Sequence, residues 1–435
     1  MQTLTPKDLK ILFLSSLGGA LEYYDFILFV IFAQYISFHF FPNSLSDFWK
    51  SFFVYSAFAS GYMARPLGGI VMAHFGDKFG RKNIFVLSIL LIVVPTFSLT
   101  FLPTYATIGI FAPLFLVLVR LAQGIAVGGE VPCSWVFVSE HTTRVHRGAF
   151  LGVLSAGITA GILLGSVVSL LLHEIFSHEE MLSWAWRVPF FLGGIFGLLA
   201  IYLRRFLSET PTFRQMQEEG SIKRFPLFEA FKSHKKAILL SMLSTCFLAG
   251  GVMGVILFAP RFVGQVLGWS AVRNDLLQIG GLWLYFLGCV VAGAAGDRFG
   301  IARACKVFAL GFGFSTLGFC IALYVFASPQ ITIALYLLTC LSAGIINFCP
   351  MIMMELFEPQ VRLSGASFSY NIGQAIIGGI TPPVIFLLHT FSRTHTGALA
   401  PLGLYAYFVI IPLLAWVCAV WFGRWEARKT GLSEA

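Results

Sequence analysis

The stretch Gly76-Asp77-Lys78-Phe79-Gly80-Arg81-Lys82 (GDKFGRK) crowds four charges between two long apolar runs, and a near copy, GDRFGIAR, stands at Gly296–Arg303, 220 positions further on. The chain around them is poor in charge. Of 435 residues 57% are hydrophobic, 46 of them Phe, and only 11% are charged. A soluble protein carries about 25% charged residues, so this sequence is built for hydrocarbon.

Apolar runs of about 20 residues or more can each cross a hydrocarbon core of about 30 Å. They recur at 11–36, 52–74, 83–102, 107–139, 148–172, 187–206, 237–260, 276–295, 304–327, 330–354, 364–389 and 401–422. That pattern predicts an all-α membrane protein with twelve transmembrane helices; the alternating segments of a β-barrel are missing. The first run is too long for a signal peptide and contains Glu22 and Asp25, so it reads as a retained helix. With the N-terminus inside, one side receives Lys7, Lys10, the 76–82 loop, Arg144, Arg147 and the eight basic residues from Arg204 to Lys236. The same side receives Arg298, Arg303, Lys306, Arg362, Arg424, Arg428 and Lys429, against Lys50, Arg187, Arg261, Arg273 and Arg393 opposite. The positive-inside rule then predicts cytoplasmic termini. The net charge of +9 is spread over short loops, which makes it topology rather than nucleic-acid affinity. Eight Cys lie in or beside spans without a CxxC pair, so neither a disulfide framework nor a metal site is expected.

The longest polar stretch, 207–236, separates 1–206 from 237–435, six spans each. Both charged glycine loops fall between the second and third spans of their half. This predicts an internal duplication, two pseudo-symmetric six-helix bundles related by an axis along the membrane normal.

GDKFGRK resembles the signature loop of the major facilitator superfamily, and RLAQG (Arg120–Gly124) resembles its fourth-helix motif. LEYYDF (Leu21–Phe26), RPLGG (Arg65–Gly69), VGGE (Val127–Glu130), WRVPF (Trp186–Phe190), SETPTF (Ser208–Phe213) and the stretch Glu355–Gly379 resemble one subgroup, the metabolite:proton symporters. The resemblance implies a central cavity, alternating access and proton-coupled uptake of a small metabolite such as an organic acid or a zwitterionic osmolyte. It also implies residence in a plasma membrane, the inner membrane of a bacterium, with small-molecule substrate, protons and lipid as partners, no cofactor, and a monomer as the working unit. Two departures stand out. The second loop ends GIAR rather than Gly-Arg-Arg, and the long coiled-coil tail of osmosensing members does not follow the last span.

Charge within the spans is the most telling signal, because each costs at least about 2.5–3.5 kcal/mol at mid-depth. Glu22 and Asp25 share a helix face near the middle of the first span, and Arg65 and Arg120 reach similar depth in the second and fourth. They form either a static ion-pair cluster or an acid that alternates between protonated and Arg-paired states. We favour Asp25 with Arg120 for the second role, with Glu22 as the alternative acid and Glu130 added by the resemblance. Tyr24 and Gln123 are candidate donors to a substrate carboxylate. Tyr370, Asn371 and Gln374 on span eleven and Asn347 on span ten are either substrate contacts or interhelical glue. Arg65 reads as packing or substrate contact, and Arg261 as a snorkelling residue or an anion-attracting vestibule.

In the loops, Gly76 and Gly80 permit close backbone approach, and Asp77 and Arg81 are expected to pair with charges at nearby helix ends. Glu140 and Arg147 have Asp297, Arg298, Glu355 and Arg362 as counterparts in the second half. The resemblance makes these a cytoplasmic latch. Gly152, Gly157, Gly161 and Gly165 predict close packing of span five. The proline-bearing glycine motif of superfamily antiporters is missing there, which weakens an efflux reading. The expected function is proton-coupled uptake of a small polar metabolite, an organic acid before an osmolyte. An exporter of a metabolite or chelator and a receptor without transport are the rivals. No paired histidines, nucleophile elbow or metal-ligand spacing supports an enzyme.

Overall fold

The computed structural model describes residues 6–207, 209–223, 226–326, 328–394 and 402–430. Its long helices are α1 (Pro6–Ile31), α2 (Asp47–Phe79), α3 (Arg81–Phe101), α4 (Phe111–His141), α5 (Arg147–Ile175) and α6 (Val188–Arg204). The second set is α7 (Lys235–Leu267), α8 (Ala271–Phe299), α9 (Ile301–Phe326), α10 (Pro329–Leu356), α11 (Arg362–Ser392) and α12 (Leu402–Thr430). Each predicted span overlaps one of them, with ends that differ by up to eight residues; position 401 and residue 327 lie outside the described residues. Eleven are apolar enough throughout to cross a membrane by composition. The twelfth, α2, is diluted by Arg65, Pro66 and its glycines, yet its 33 residues reach about 50 Å at 1.5 Å per residue.

α1–α6 and α7–α12 form the two bundles, joined along two seams, α5 against α8 and α2 against α11. Span five is legible as a double-sided glycine surface. Gly161 lies against the Ala20 carbonyl of α1 and Gly165 against Ile27, while Gly148 and Gly152 face Gly293 and Cys289 of α8. Backbone therefore meets backbone on both sides of α5.

Two pairs of helices related by the duplication are both interrupted. α4 loses its winding at Gly128–Gly129, and its counterpart α10 tightens to a 3₁₀ turn over Ala343–Asn347. α1 stops at Ile31 and resumes as Ala33–Phe40, and its counterpart α7 widens to a π-helix over Val252–Phe258. α11 widens likewise over Gln374–Gly378. Such irregular turns free backbone groups and recur at functional sites.

The polar stretch between the bundles holds two short helices, Pro211–Glu218 and Pro226–Ser233. Thr210 caps the first by accepting from the Phe213 N–H, with Pro211 at the position where a missing N–H costs nothing.

Adding a methyl at Gly161 forces the Ala20 carbonyl aside, so Gly161→Ala should cost about 1–3 kcal/mol of overpacking strain. Gly311→Ala on α9 meets nothing within 4 Å and should be neutral or slightly stabilising. Thermal unfolding of the purified variants checks both; equal melting points would mean that the α1–α5 approach is not close.

Candidate functional site

Three fully buried arginines organise the first bundle, each against one carboxylate. Arg120 of α4 donates through Nη1 to Asp25 of α1 and to Gln123 Oε1 at 2.6 Å. Gln123 in turn donates to Asp25 Oδ1 at 3.0 Å and to Thr96 of α3 at 3.0 Å. The Arg120 guanidinium lies 3.7 Å over the Phe29 ring, and its Nε and Nη2 make no hydrogen bond. The favoured pair is thus assembled, with its polar partners in the first bundle.

Arg65 of α2 donates to Glu22 Oε1 at 2.7 Å and to Asn371 Oδ1 at 3.3 Å, so this pair reaches the second bundle through α11. Asn371 also donates to the Gly128 carbonyl at the break in α4, at 2.5 Å. The Arg65 guanidinium lies between Tyr62 and Tyr370, 5.3 Å from each ring. Tyr370 stands edge-on to Trp135 of α4 at 4.9 Å, with Gln374 beside its hydroxyl. Glu22 Oε2, Arg65 Nη2 and Trp135 Nε1 are buried without a hydrogen-bond partner. A void of about 10 Å³, barely one water, separates the Arg65 and Arg120 side chains. Glu22 and Asp25 share a helix, but the structure places them in separate pairs.

The third pair was not read from the sequence. Arg204, counted there among surface cations, is fully buried at the end of α6 and pairs with Glu130. It also donates to backbone carbonyls of Leu14 and Phe85, and Ser88 donates to Glu130. Glu130 is therefore enclosed among helices of the first bundle rather than hydrated at an edge. Tyr24 is spent too: its hydroxyl donates to the Pro189 carbonyl at 2.7 Å, tying α1 to α6. Asn347 accepts from Ser155 at 3.0 Å and donates to the Gly148 carbonyl at 3.3 Å, across the α5–α10 contact.

The charged glycine loops close one face of the molecule. Asp77 accepts from the Ser364 N–H at 2.9 Å and its hydroxyl at 2.7 Å, in the first turn of α11. Asp297 accepts from the N–H groups of Gly148 and Ala149 at 2.8 and 2.9 Å, in the first turn of α5. Each loop aspartate thus caps a helix of the opposite bundle. Backbone N–H groups left unpaired by the helix, and its positive end, meet these carboxylates. Gly80 and Gly300 carry φ of 105° and 87°, which a side chain resists, and Gly76 lets α2 approach Leu363. Two ion pairs also join the bundles on this face, Arg147–Glu355 at 2.7 Å and Arg362–Glu140 at 3.4 Å. Arg298 is exposed over Phe299, apart from these pairs, and the Arg81 side chain lies outside the described residues. Glu209 was missed: it accepts from the Lys82 N–H at 3.1 Å and so caps α3.

The opposite face is joined as well. Asp275 of α8, one residue outside its predicted span, is fully buried and accepts from Ser169 of α5 at 3.0 Å and Arg261 of α7 at 3.0 Å. His173 Nδ1 lies 3.4 Å from it. Tyr55 of α2 packs on Phe258 and Phe386 nearby. Arg261 is thus a paired residue of this junction.

Residues 15–382 match the Major Facilitator Superfamily. The chain is 30% identical over 398 residues to the inner membrane metabolite transport protein YhjE of Escherichia coli K12, covering 88% of each chain. It is 29% identical to the glycine betaine/proline/ectoine/pipecolic acid transporter OusA of Dickeya dadantii, covering 85% of this chain and 75% of that one. Among solved structures its fold matches the proton:xylose symporter XylE bound to 6-bromo-6-deoxy-D-glucose, with a TM-score of 0.79, 18% identity, and 96% and 95% of the two chains covered. The human organic anion transporter MFSD10 follows the same fold, with a TM-score of 0.63, 15% identity, and 96% and 100% covered. Twelve helices in two duplicated bundles, the loops that latch them and these matches have one meaning: the chain belongs to the Major Facilitator Superfamily.

Proposed function

We propose that this protein couples inward proton flow to uptake of a small polar metabolite bearing a carboxylate, by alternating access, with the glycine-loop face in the cytoplasm. The observation that carries the reading is the Asp25–Arg120 pair, a buried acid held by a guanidinium with two nitrogens free of hydrogen bonds, beside a small void. A proton on Asp25 cancels the charge that holds Arg120 and frees it towards the void, so protonation becomes a change in side-chain position. Glu22 and Arg65 pass that change to the second bundle through Asn371. An organic acid suits the unused donors of Arg65 and Arg120. A zwitterion such as proline or betaine is the second reading. The Tyr62, Tyr370 and Trp135 rings beside Glu22 favour it, since aromatic faces attract ammonium groups, and OusA is a transporter of such compounds.

One proton crossing 100 mV supplies about 2.3 kcal/mol, roughly fiftyfold accumulation of a neutral co-substrate. Asp25→Asn is neutral at every pH, so it should still exchange substrate across proteoliposome membranes but fail to concentrate it on a pH gradient. Glu22→Gln is the comparison. Uphill uptake retained by Asp25→Asn and lost by Glu22→Gln would move the proton to Glu22.

Substrate class is tested by melting the purified protein with organic acids, amino acids and betaines. A ligand of the folded state adds about 2.7 kcal/mol at a hundred times its dissociation constant. Stabilisation by betaines alone would select the second reading, and stabilisation by none would leave the reading without support.

The two junctions should act in opposite directions. Asp77→Asn weakens the cap on α11, so cysteines placed along the α2–α11 seam should label faster from the glycine-loop face. Asp275→Asn should speed labelling from the other face. Unchanged labelling in both variants would reduce these carboxylates to a packing role.

A further inference from the structure

A cavity of about 580 Å³ opens on the glycine-loop face, between the helix Pro226–Ser233, the first turn of α7, the α10–α11 turn and the end of α12. Five cationic side chains line it, Lys232, Lys235, Lys236, Arg362 and Lys429, against two carboxylates, Glu355 and Glu358. Glu355 is already committed to Arg147. Among the described residues none of the four lysines makes an ion pair, and Lys429 rests 4.9 Å over the Trp425 ring. Lys235 and Lys236 open a helix that no side chain caps, where the positive helix end repels them. His234 adds a buried Nδ1 without a hydrogen-bond partner. Mutual repulsion makes this grouping costly when empty. A phosphate oxyanion relieves it, accepting from the ammonium groups.

We propose that this cavity binds an anion of phosphate type, and that its occupant loosens the latch. Arg362 is the link, because it lines the cavity and also holds Glu140 of the first bundle at 3.4 Å. An anion in the cavity competes with Glu140 for that guanidinium. The latch effect rests on the alternating-access reading above; the binding does not. The same phosphate chemistry is offered by a soluble anion and by an acidic lipid headgroup, since Trp425 and the lysines lie at the ends of membrane helices.

The test uses the full chain in nanodiscs and reads melting temperature together with cysteine labelling from the glycine-loop face. One arm adds inorganic phosphate to phosphatidylcholine discs, and the other replaces part of that lipid with phosphatidylglycerol. At least one arm should raise the melting temperature saturably and speed labelling, and the arm that does so names the source. Lys235→Gln and Lys429→Gln should each weaken the effect about tenfold, as loss of one charged hydrogen bond does. Lys223→Gln, outside the cavity lining, should leave it unchanged. No response in either arm, or a response that survives both lysine substitutions, overturns the site. Binding with unaltered labelling overturns the link through Arg362. Substrate counterflow, measured without either anion, reports on the transport reading separately.

Discussion

A charge in hydrocarbon has to travel with its counter-charge, and the first bundle is arranged around that requirement. Arg65, Arg120 and Arg204 are buried against Glu22, Asp25 and Glu130, tying α1 to α2, α1 to α4 and α4 to α6. Removing one partner from a buried pair costs about 3–5 kcal/mol. The second bundle answers across the seam with uncharged groups, Asn371, Ser367 and Tyr370. A hydrogen bond to a charged group such as Arg65 contributes about 1.5–3 kcal/mol net, and a neutral one about 0.5–1.5. Between these magnitudes the seam is the cheaper place to part, so the bundles separate from each other before either comes apart internally.

The latch obeys the same arithmetic. A carboxylate at a helix N-terminus contributes about 0.3–1 kcal/mol when exposed and up to about 2 when partly buried, and a hydrated ion pair about 0–1. Asp77 on α11 and Asp297 on α5, with Arg147–Glu355 and Arg362–Glu140, hold the glycine-loop face by many small terms. The two caps are exchanged between the bundles because the duplication places each loop beside the other bundle's helix start. This is why the motif must recur in both halves. A single copy would brace one seam and leave the other open. Losing the later arginine of the motif, as GIAR does, leaves this part intact, since Asp297 and Gly300 supply the cap and the turn.

What the sequence discloses follows the length scale of each signal. Spans and duplication are legible because they repeat over about 20 residues or more, and the Asp25–Arg120 pair because depth along a helix can be counted. Span five is legible because glycine has one packing use at that spacing. Arg204 is not, since a basic residue at a span end normally snorkels, and only the tertiary position of Glu130 draws it inward. Asp275 falls one residue beyond an assigned span and looks like a loop acid until α5 brings Ser169 and His173 to it. The caps themselves are not legible, because backbone N–H groups carry no letter in a sequence. Glu209 shows the same limit, being a linker residue whose partner is the Lys82 amide.

The seam also bears on how a substrate would drive the proposed cycle. Glu22 Oε2, Arg65 Nη2 and Trp135 Nε1 are buried there without partners, and each such group costs about 1–3 kcal/mol. Under the proposed alternating access that cost falls on the closed form alone, because water reaches these atoms once either face opens. A carboxylate-bearing ligand that satisfies even two of them lowers the closed form relative to both open ones. Ligands shift an equilibrium only by such a difference in affinity. On the proposed function the unpaired atoms make closure depend on cargo, and replacing them with a fully satisfied apolar seam would leave a bundle that closes whether or not anything is bound.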